Sequence, residues 1–337
     1  MISIKPNYNL LKHNTFGLQA TCDYFVEYSS LEDLLEYLNI NKDCDIQYFH
    51  IGEGSNLVFT KDYEGVVLHS AILGKEVSEE ENFVEIRVGA GENWDNFVAW
   101  CVENGYYGIE NLSLIPGEVG AAAVQNIGAY GVEVADFITY VNAVNLNSLQ
   151  IERFGVEDCN YGYRESIFKS EFKGQYIITH VGFRLNKLFQ PNLSYAALKS
   201  ILNAKGVNHP TAQQLRDLII EVRKDKLPDP KELGSAGSFF MNPVVSMPQF
   251  QQLKERFPSI PHYIGDTGVK IPAGWLIEQC GWKGRRKGAV GVYEKQALVL
   301  VNHGGATGAD VQEFAELIIK DVAEKFDVVL RPEANFI

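Results

Sequence analysis

The sequence predicts an α+β fold built as two sheet-based lobes. Two observations carry this reading. Short β-rich runs, each broken by glycine or charge, dominate the first half, and amphipathic helices gather after about residue 190. A third sets the scale: 337 residues exceed one ordinary core and suit two or three domains.

Taken in order, CDYFVEYS reads as a strand. Ser30 then stands where a hydroxyl can cap the helix LEDLLEYLN, with Asp33 three residues on. IQYFHIG, NLVF, GVVLHS and FVEIRVGAG follow as strands. WDNFVAWCVENG reads as a helix with Phe97, Val98 and Cys101 on one face and Gly105 closing it. QPNLSYAALKSIL reads as a short helical insert. TAQQLRDLIIEVRKDK is an amphipathic helix with Leu215, Leu218, Ile219 and Val222 at helical spacing, stopped by Pro228 and Pro230. Helices are expected near residues 248–257, 273–281 and 309–326, and strands at ALVLVN and DVVL. A boundary near residue 190 divides the chain into residues 1–189 and 190–330, with residues 331–337 as a tail. The crevice between such lobes is the expected site.

The net charge of −13 argues against a nucleic-acid partner, which would ask for a basic field. It leaves room for one anionic small molecule in a local basic pocket. Hydrophobic residues reach 46%, yet no stretch approaches the ~20 apolar residues of a membrane helix. The N-terminus lacks a signal-peptide pattern, so a cytoplasmic protein is expected, with no membrane partner and acting as a monomer. Cys22, Cys44, Cys101, Cys159 and Cys280 show no CxxC spacing and read as buried thiols. The seven histidines form no HxxxH pair, so no metal site is expected.

Three glycine-bearing loops stand out: Gly52-Glu53-Gly54-Ser55-Asn56, Pro116-Gly117-Glu118-Val119-Gly120, and Gln125-Asn126-Ile127-Gly128-Ala129-Tyr130-Gly131. Glycine lets backbone amides approach a phosphate, and Ser and Asn add neutral donors, which suits a pyrophosphate. The same loops also read as tight turns. Leu57 stands where a Rossmann fingerprint needs its third glycine, and no Walker lysine loop exists.

The segments IGEGSNLVF, VGAGENW, IENLSLIPGEVGAAAVQNIGAYG and YGYRESIF, followed by LPDPKELGSAGSFFMNP, AGWLIEQCGWKG and RPEANFI, resemble the UDP-N-acetylenolpyruvoylglucosamine reductase family in order and over nearly the whole chain. The insert LSYAAL resembles its type I branch. The resemblance implies an FAD-binding lobe of the vanillyl-alcohol oxidase type, made of two small α+β subdomains, and a C-terminal α+β lobe that binds substrate. It implies non-covalent FAD, NADPH as co-substrate, and a UDP-sugar enolpyruvyl ether as substrate. Glu118, and Ala in place of Ser in the run Ala121-Ala122-Ala123, depart from some relatives.

The resemblance also assigns roles. Reduction of an alkene conjugated to a carboxylate leaves a dianionic enolate, which needs cations on the carboxylate and an acid at the other alkene carbon. Arg164 matches the carboxylate binder, although its spacing alone also suits an ion pair. Ser238 matches the proton donor, although alone it reads as a turn hydroxyl. Glu333 matches the other catalytic position, although alone it reads as an exposed acid. Tyr195 matches a lid at the UDP end, Lys226 a pyrophosphate contact, and Asn242 and Gln296 polar substrate partners. Gly52, Gly54, Ser55, Asn56, Gly117, Gln125, Asn126, Ile127, Gly128 and Arg223 match cofactor contacts. The rival activity is an FAD-linked oxidase or dehydrogenase of an alcohol or sugar.

Overall fold

The structure is a computed structural model that describes residues 1–265 and 268–337. The chain divides into two compact units. The first comprises Met1–Tyr8, Cys22–Glu53 and Tyr63–Arg223, and the second Asn9–Thr21, Gly54–Asp62 and Lys224–Ile337. This grouping differs from a division at residue 190. The insert after that position packs its apolar residues with Tyr130 and Phe189 of the first unit, and two early segments join the second unit.

In the first unit a four-stranded sheet runs in the order Ile2–Asn9, Thr21–Tyr28, Tyr63–Ser70, Tyr48–Ile51. The last three strands are parallel. Helix α1, Leu31–Ile40, begins where Ser30 Oγ accepts from the Asp33 amide at 3.1 Å. Glu32 and Asp33 in its first turn complement the positive helix end. Its Leu34 and Leu38 are buried with Val26, Tyr28, Val66 and Leu68, each such leucine contributing about 1.5–3 kcal/mol of burial.

A five-stranded antiparallel sheet follows, in the order Ile151–Gly155, Ile138–Asn145, Tyr176–Asn186, Phe83–Gly89, Lys75–Glu79. Helix α2, Trp94–Glu103, is capped by Asn93 and followed by Gly105 at φ 76°. It buries Phe97, Val98 and Cys101 as expected, and also Trp94. A six-residue helix α3, Val119–Val124, leads into the third glycine loop. Helix α4, Ala196–Ala204, starts only at Ala196, because residues 190–195 turn on Asn192, whose Oδ1 accepts from Ser194. Helix α5 spans Ala212–Lys226.

The second unit holds an antiparallel sheet ordered Gly234–Ser238, Val299–Asn302, Val290–Val292, Arg286–Lys287. Its helices are α6, Met247–Arg256, α7, Ala273–Gln279, and α8, Gly308–Phe326. A capping box between Thr307 and Asp310 starts α8. The strand expected at DVVL does not form. Asp327 closes α8 in the left-handed region, and Val328 and Leu330 are buried while Val329 is exposed, so the alternation reflects burial without a ladder partner. Cys22, Cys101 and Cys159 are buried, and burial pushes the Cys22 and Cys159 thiols up to about 11; Cys44 is exposed and Cys280 half-buried. Among the described residues no helix is long and apolar enough to cross a membrane.

Candidate active site

In the first unit the parallel sheet delivers the first glycine loop. Strand Tyr48–Ile51 ends and Gly52 follows at its carboxyl end, the edge where parallel sheets present ligand loops. Glu53 ties this loop to the second one: its carboxylate accepts from the Gly117 amide at 3.0 Å and from Asn93 Nδ2 at 2.7 Å. The Gly117 N–H, expected to face a ligand, is thus held by Glu53. Behind Gly52 lies Glu118. A Cβ added at Gly52 would stand 3.0 Å from Glu118 Oε2, so a side chain there would crowd the carboxylate.

The third loop and the Arg164 hairpin form one structure. Asn126 is fully buried at φ 45°, and both ends of its side-chain amide are engaged. Its Nδ2 donates to Glu133 Oε2 at 2.8 Å and to Gly162 O at 2.9 Å, and its Oδ1 accepts from the Ala135 amide at 3.1 Å. Ile127 is buried, donates its N–H to Ala122 O and accepts from Val134. Gln125 donates its N–H to Ala121 O at 3.3 Å. Asn126 and Ile127 therefore spend these groups on bracing the loop. Gly162 and Glu165 exchange backbone bonds at 3.1 Å, which leaves Tyr163 and Arg164 at the tip of a tight hairpin with Arg164 at φ 57°. The Arg164 guanidinium donates to Gly128 O at 2.6 Å and to Asn126 O at 3.3 Å. A Cβ at Gly128 would lie 3.0 Å from Arg164 Nη1, so glycine there leaves room for the guanidinium.

Arg223 donates from Nε to Leu114 O at 3.3 Å. Burial holds it below its ordinary value, and nearby Arg164 adds to that, while Tyr130 and Asp95 pull the other way. The insert joins this group: the Tyr195 ring meets Tyr130 edge-on at 5.4 Å between centroids. Asn111 Nδ2 bridges Tyr130 O and Asn192 O at 3.1 and 3.0 Å. Arg164, Arg223, Tyr130 and Tyr195 are thus assembled in one unit, with two guanidiniums whose mutual repulsion favours an anion.

In the second unit a different set assembles. Gly54, at φ 69°, is a glycine for packing reasons, since a Cβ there would come 1.9 Å from His13 O. Past Ser55, Asn56 donates from Nδ2 to Glu333 O at 3.1 Å and accepts from the Asn335 amide at 2.9 Å. Leu57–Val58 pairs in parallel with Asn335–Phe336. Ser238, exposed, ends strand Gly234–Ser238 opposite Val299, beside Gly237 at φ 66°. The next residue, Phe239, accepts the Glu333 N–H at 2.8 Å, and Phe240 bridges Pro332. Asn56, Ser238 and Glu333 therefore share one neighbourhood through the backbone of residues 331–337. Gln296 Oε1 accepts from Leu298, whose carbonyl holds the Phe239 amide. Asn242 Oδ1 accepts from the Ala273 amide at 2.9 Å, at the start of α7. Lys226 is exposed at the end of α5.

Sequence reasoning missed the supports. Arg216, buried on α5, makes two hydrogen bonds to Asp95 at 2.6 and 3.0 Å, and Asp95 also takes the Leu114 amide at 2.6 Å. Burial would raise the Asp95 carboxyl, but the Arg216 and Leu114 bonds outweigh it and hold it below its ordinary range. Asp95 thereby fixes Leu114, whose carbonyl fixes Arg223. The available signal was two arginines seven apart on one face of a helix. Tyr130 and Glu53 lie inside the glycine loops, where nothing in the sequence signals their roles.

Two family models match the chain. One, described as an FAD binding domain, covers residues 22–152. The other, described as the C-terminal domain of UDP-N-acetylenolpyruvoylglucosamine reductase, covers residues 229–337. The chain is 49% identical over 340 residues to the UDP-N-acetylenolpyruvoylglucosamine reductase of Porphyromonas gingivalis strain W83, covering 100% of both chains. It is 49% identical over 337 residues to that of Bacteroides fragilis strain YCH46, covering 99% of this chain and 100% of the other. Among solved structures, the reductase from Thermus caldophilus aligns with a TM-score of 0.67 at 22% identity, over 100% of this chain and 98% of that one, which shows a shared fold.

Proposed function

Because the chain belongs to the UDP-N-acetylenolpyruvoylglucosamine reductase family, we propose that its two residue sets divide the work of that reaction. The protein is an FAD-dependent oxidoreductase that uses NADPH to reduce UDP-N-acetylenolpyruvoylglucosamine in peptidoglycan precursor synthesis.

The donor chemistry of the three glycine loops fits the cofactor, since they offer closely approached backbone and no lysine, as a diphosphate held by amides requires. Gly52, Gly54, Ser55, Asn56 and Gln125 would hold FAD; Gly117, whose N–H Glu53 takes, would shape the second loop, and Asn126, Ile127 and Gly128 would shape the third and carry Arg164. When bound, FAD supplies the hydride carrier between NADPH and the alkene.

The observation that carries the catalytic reading is the seating of Arg164 on the carbonyls of Asn126 and Gly128. Two carbonyl anchors orient a permanently charged fork within the cofactor loop, as recognition of the substrate carboxylate demands. As negative charge grows on that carboxylate, the guanidinium offsets it without reorganising. Arg223 adds a second positive centre. Ser238 delivers its hydroxyl proton to the alkene carbon that receives no hydride. An alcohol suffices as acid because the enolate is strongly basic. Glu333, docked on Phe239, is the companion acid. Tyr195 covers the UDP end, Lys226 meets the pyrophosphate, and Asn242 and Gln296 shape the substrate side. NADPH and UDP-sugars are intracellular reagents, which supports a cytoplasmic location.

The test is anaerobic. NADPH should bleach the protein's flavin absorbance, and UDP-N-acetylenolpyruvoylglucosamine should restore it. Restoration by oxygen alone, with the substrate inert, refutes the reading in favour of an oxidase.

A further inference from the structure

Glu118 occupies the N-cap of α3, yet its side chain caps nothing there. Its carboxylate, nearly buried, turns instead to the parallel sheet and meets His69 Nε2 at 2.9 Å. His69 Nδ1 meets Glu27 Oε2 at 3.0 Å. The strand register dictates this triad, because Glu27 on Thr21–Tyr28 and Ile51 on Tyr48–Ile51 both pair directly with His69 on Tyr63–Ser70. Residues in register on neighbouring strands share a face, and Gly52 follows Ile51. The imidazole therefore sits at the base of the first glycine loop, with Glu118 between them.

An uncompensated carboxylate is a poor wall for a diphosphate pocket, since like charges repel strongly where water is scarce. We infer that His69 is a positioning residue for the flavin diphosphate: clamped between Glu27 and Glu118, its imidazolium cancels the charge that Glu118 would otherwise present behind Gly52. This rests on the assignment of the Gly52–Asn56 loop to FAD. The groups facing Glu118 are His69, Glu27, Glu53 and Tyr28, and those facing His69 are Glu118, Glu27 and His50. Burial holds His50 neutral, down at about 3, so His69 is the one cation among these groups. Burial pulls His69 down as well, but Glu118 and Glu27 outweigh it and raise it above its ordinary value. The imidazolium therefore persists below that raised value, and FAD affinity falls as pH rises through it.

The experiment is calorimetric titration of FAD into apoprotein from pH 6 to pH 9, for wild type, H69Q, E118Q and the double variant. His69→Gln should weaken FAD binding about tenfold or more at pH 7, equivalent to about 1.4 kcal/mol. Adding Glu118→Gln should return affinity to within about threefold of wild type, because the charge in need of cancelling is gone. Glu118→Gln alone keeps a hydrogen-bond acceptor for His69, so it should bind FAD as well as wild type with a flatter pH profile. A double variant as weak as H69Q, or a wild-type profile that E118Q leaves unchanged, overturns the inference while the FAD assignment stands. Wild-type apoprotein that takes up no FAD at any pH overturns the assignment itself.

Discussion

Replacing Asn126 with Ala tests whether this residue braces the loop or serves the ligand. The structure predicts bracing. Three hydrogen bonds vanish, to Glu133, Gly162 and Ala135. Each partner is half-buried, so water replaces part of what is lost and each bond contributes about 1 kcal/mol. Alanine also tolerates the left-handed φ of 45° less well than asparagine does, adding about 1 kcal/mol. The expected loss is about 4 kcal/mol in urea unfolding of the apoprotein, with Asn126→Gly about 1 kcal/mol better than Asn126→Ala because glycine removes the backbone strain. A destabilisation under 1 kcal/mol with a large loss of FAD affinity would refute the argument, since it would mean that the amide works on the cofactor.

Ser238→Ala should leave flavin reduction by NADPH nearly unchanged and slow reoxidation by the enolpyruvyl substrate by about 10²- to 10⁴-fold; equal slowing of both steps in stopped-flow absorbance would make Ser238 a packing residue. Tyr195→Phe should weaken substrate binding by about 1.5–3 kcal/mol, the contribution of a hydroxyl bonded to a charged phosphate, and an unchanged calorimetric Kd would remove Tyr195 from the site. Arg216→Met should cost about 2 kcal/mol at pH 7 by stranding Asp95. Because the folded Asp95 carboxyl lies below its ordinary 3.8, that stabilisation is fully present above about pH 5 and lost as pH falls through the folded value, so the variant and wild-type stabilities should converge in acid.

Much of the local structure was legible because local forces decide it. Ser30 caps α1 and Gly105 follows α2, each signalled by residues within a few positions. DVVL misled because alternating burial is also what a chain packed on a core shows, with no neighbouring strand to bond. Helix α3 escaped because six residues of Val, Gly and Ala carry no periodicity. Of the site, the motifs located the loops, but an asparagine that braces and one that binds look identical in sequence. Asn126 is told apart only by its three partners. Likewise nothing near Asp95 announces Arg216, 121 residues away.

The division of the chain into six alternating segments bears on how the protein is made. Phe16, Leu18 and Val58 leave the ribosome early, yet the core that covers them is built from residues beyond 236. Synthesis and maturation are thereby decoupled. The first unit can close once Arg223 has emerged, whereas the second must hold two apolar segments in waiting until translation is almost finished. No contiguous fragment contains the second unit, so one begun at Lys224 would expose the surface that Phe16 and Val58 fill, and a cut soon after Arg223 would leave those side chains as a docking point for chaperones.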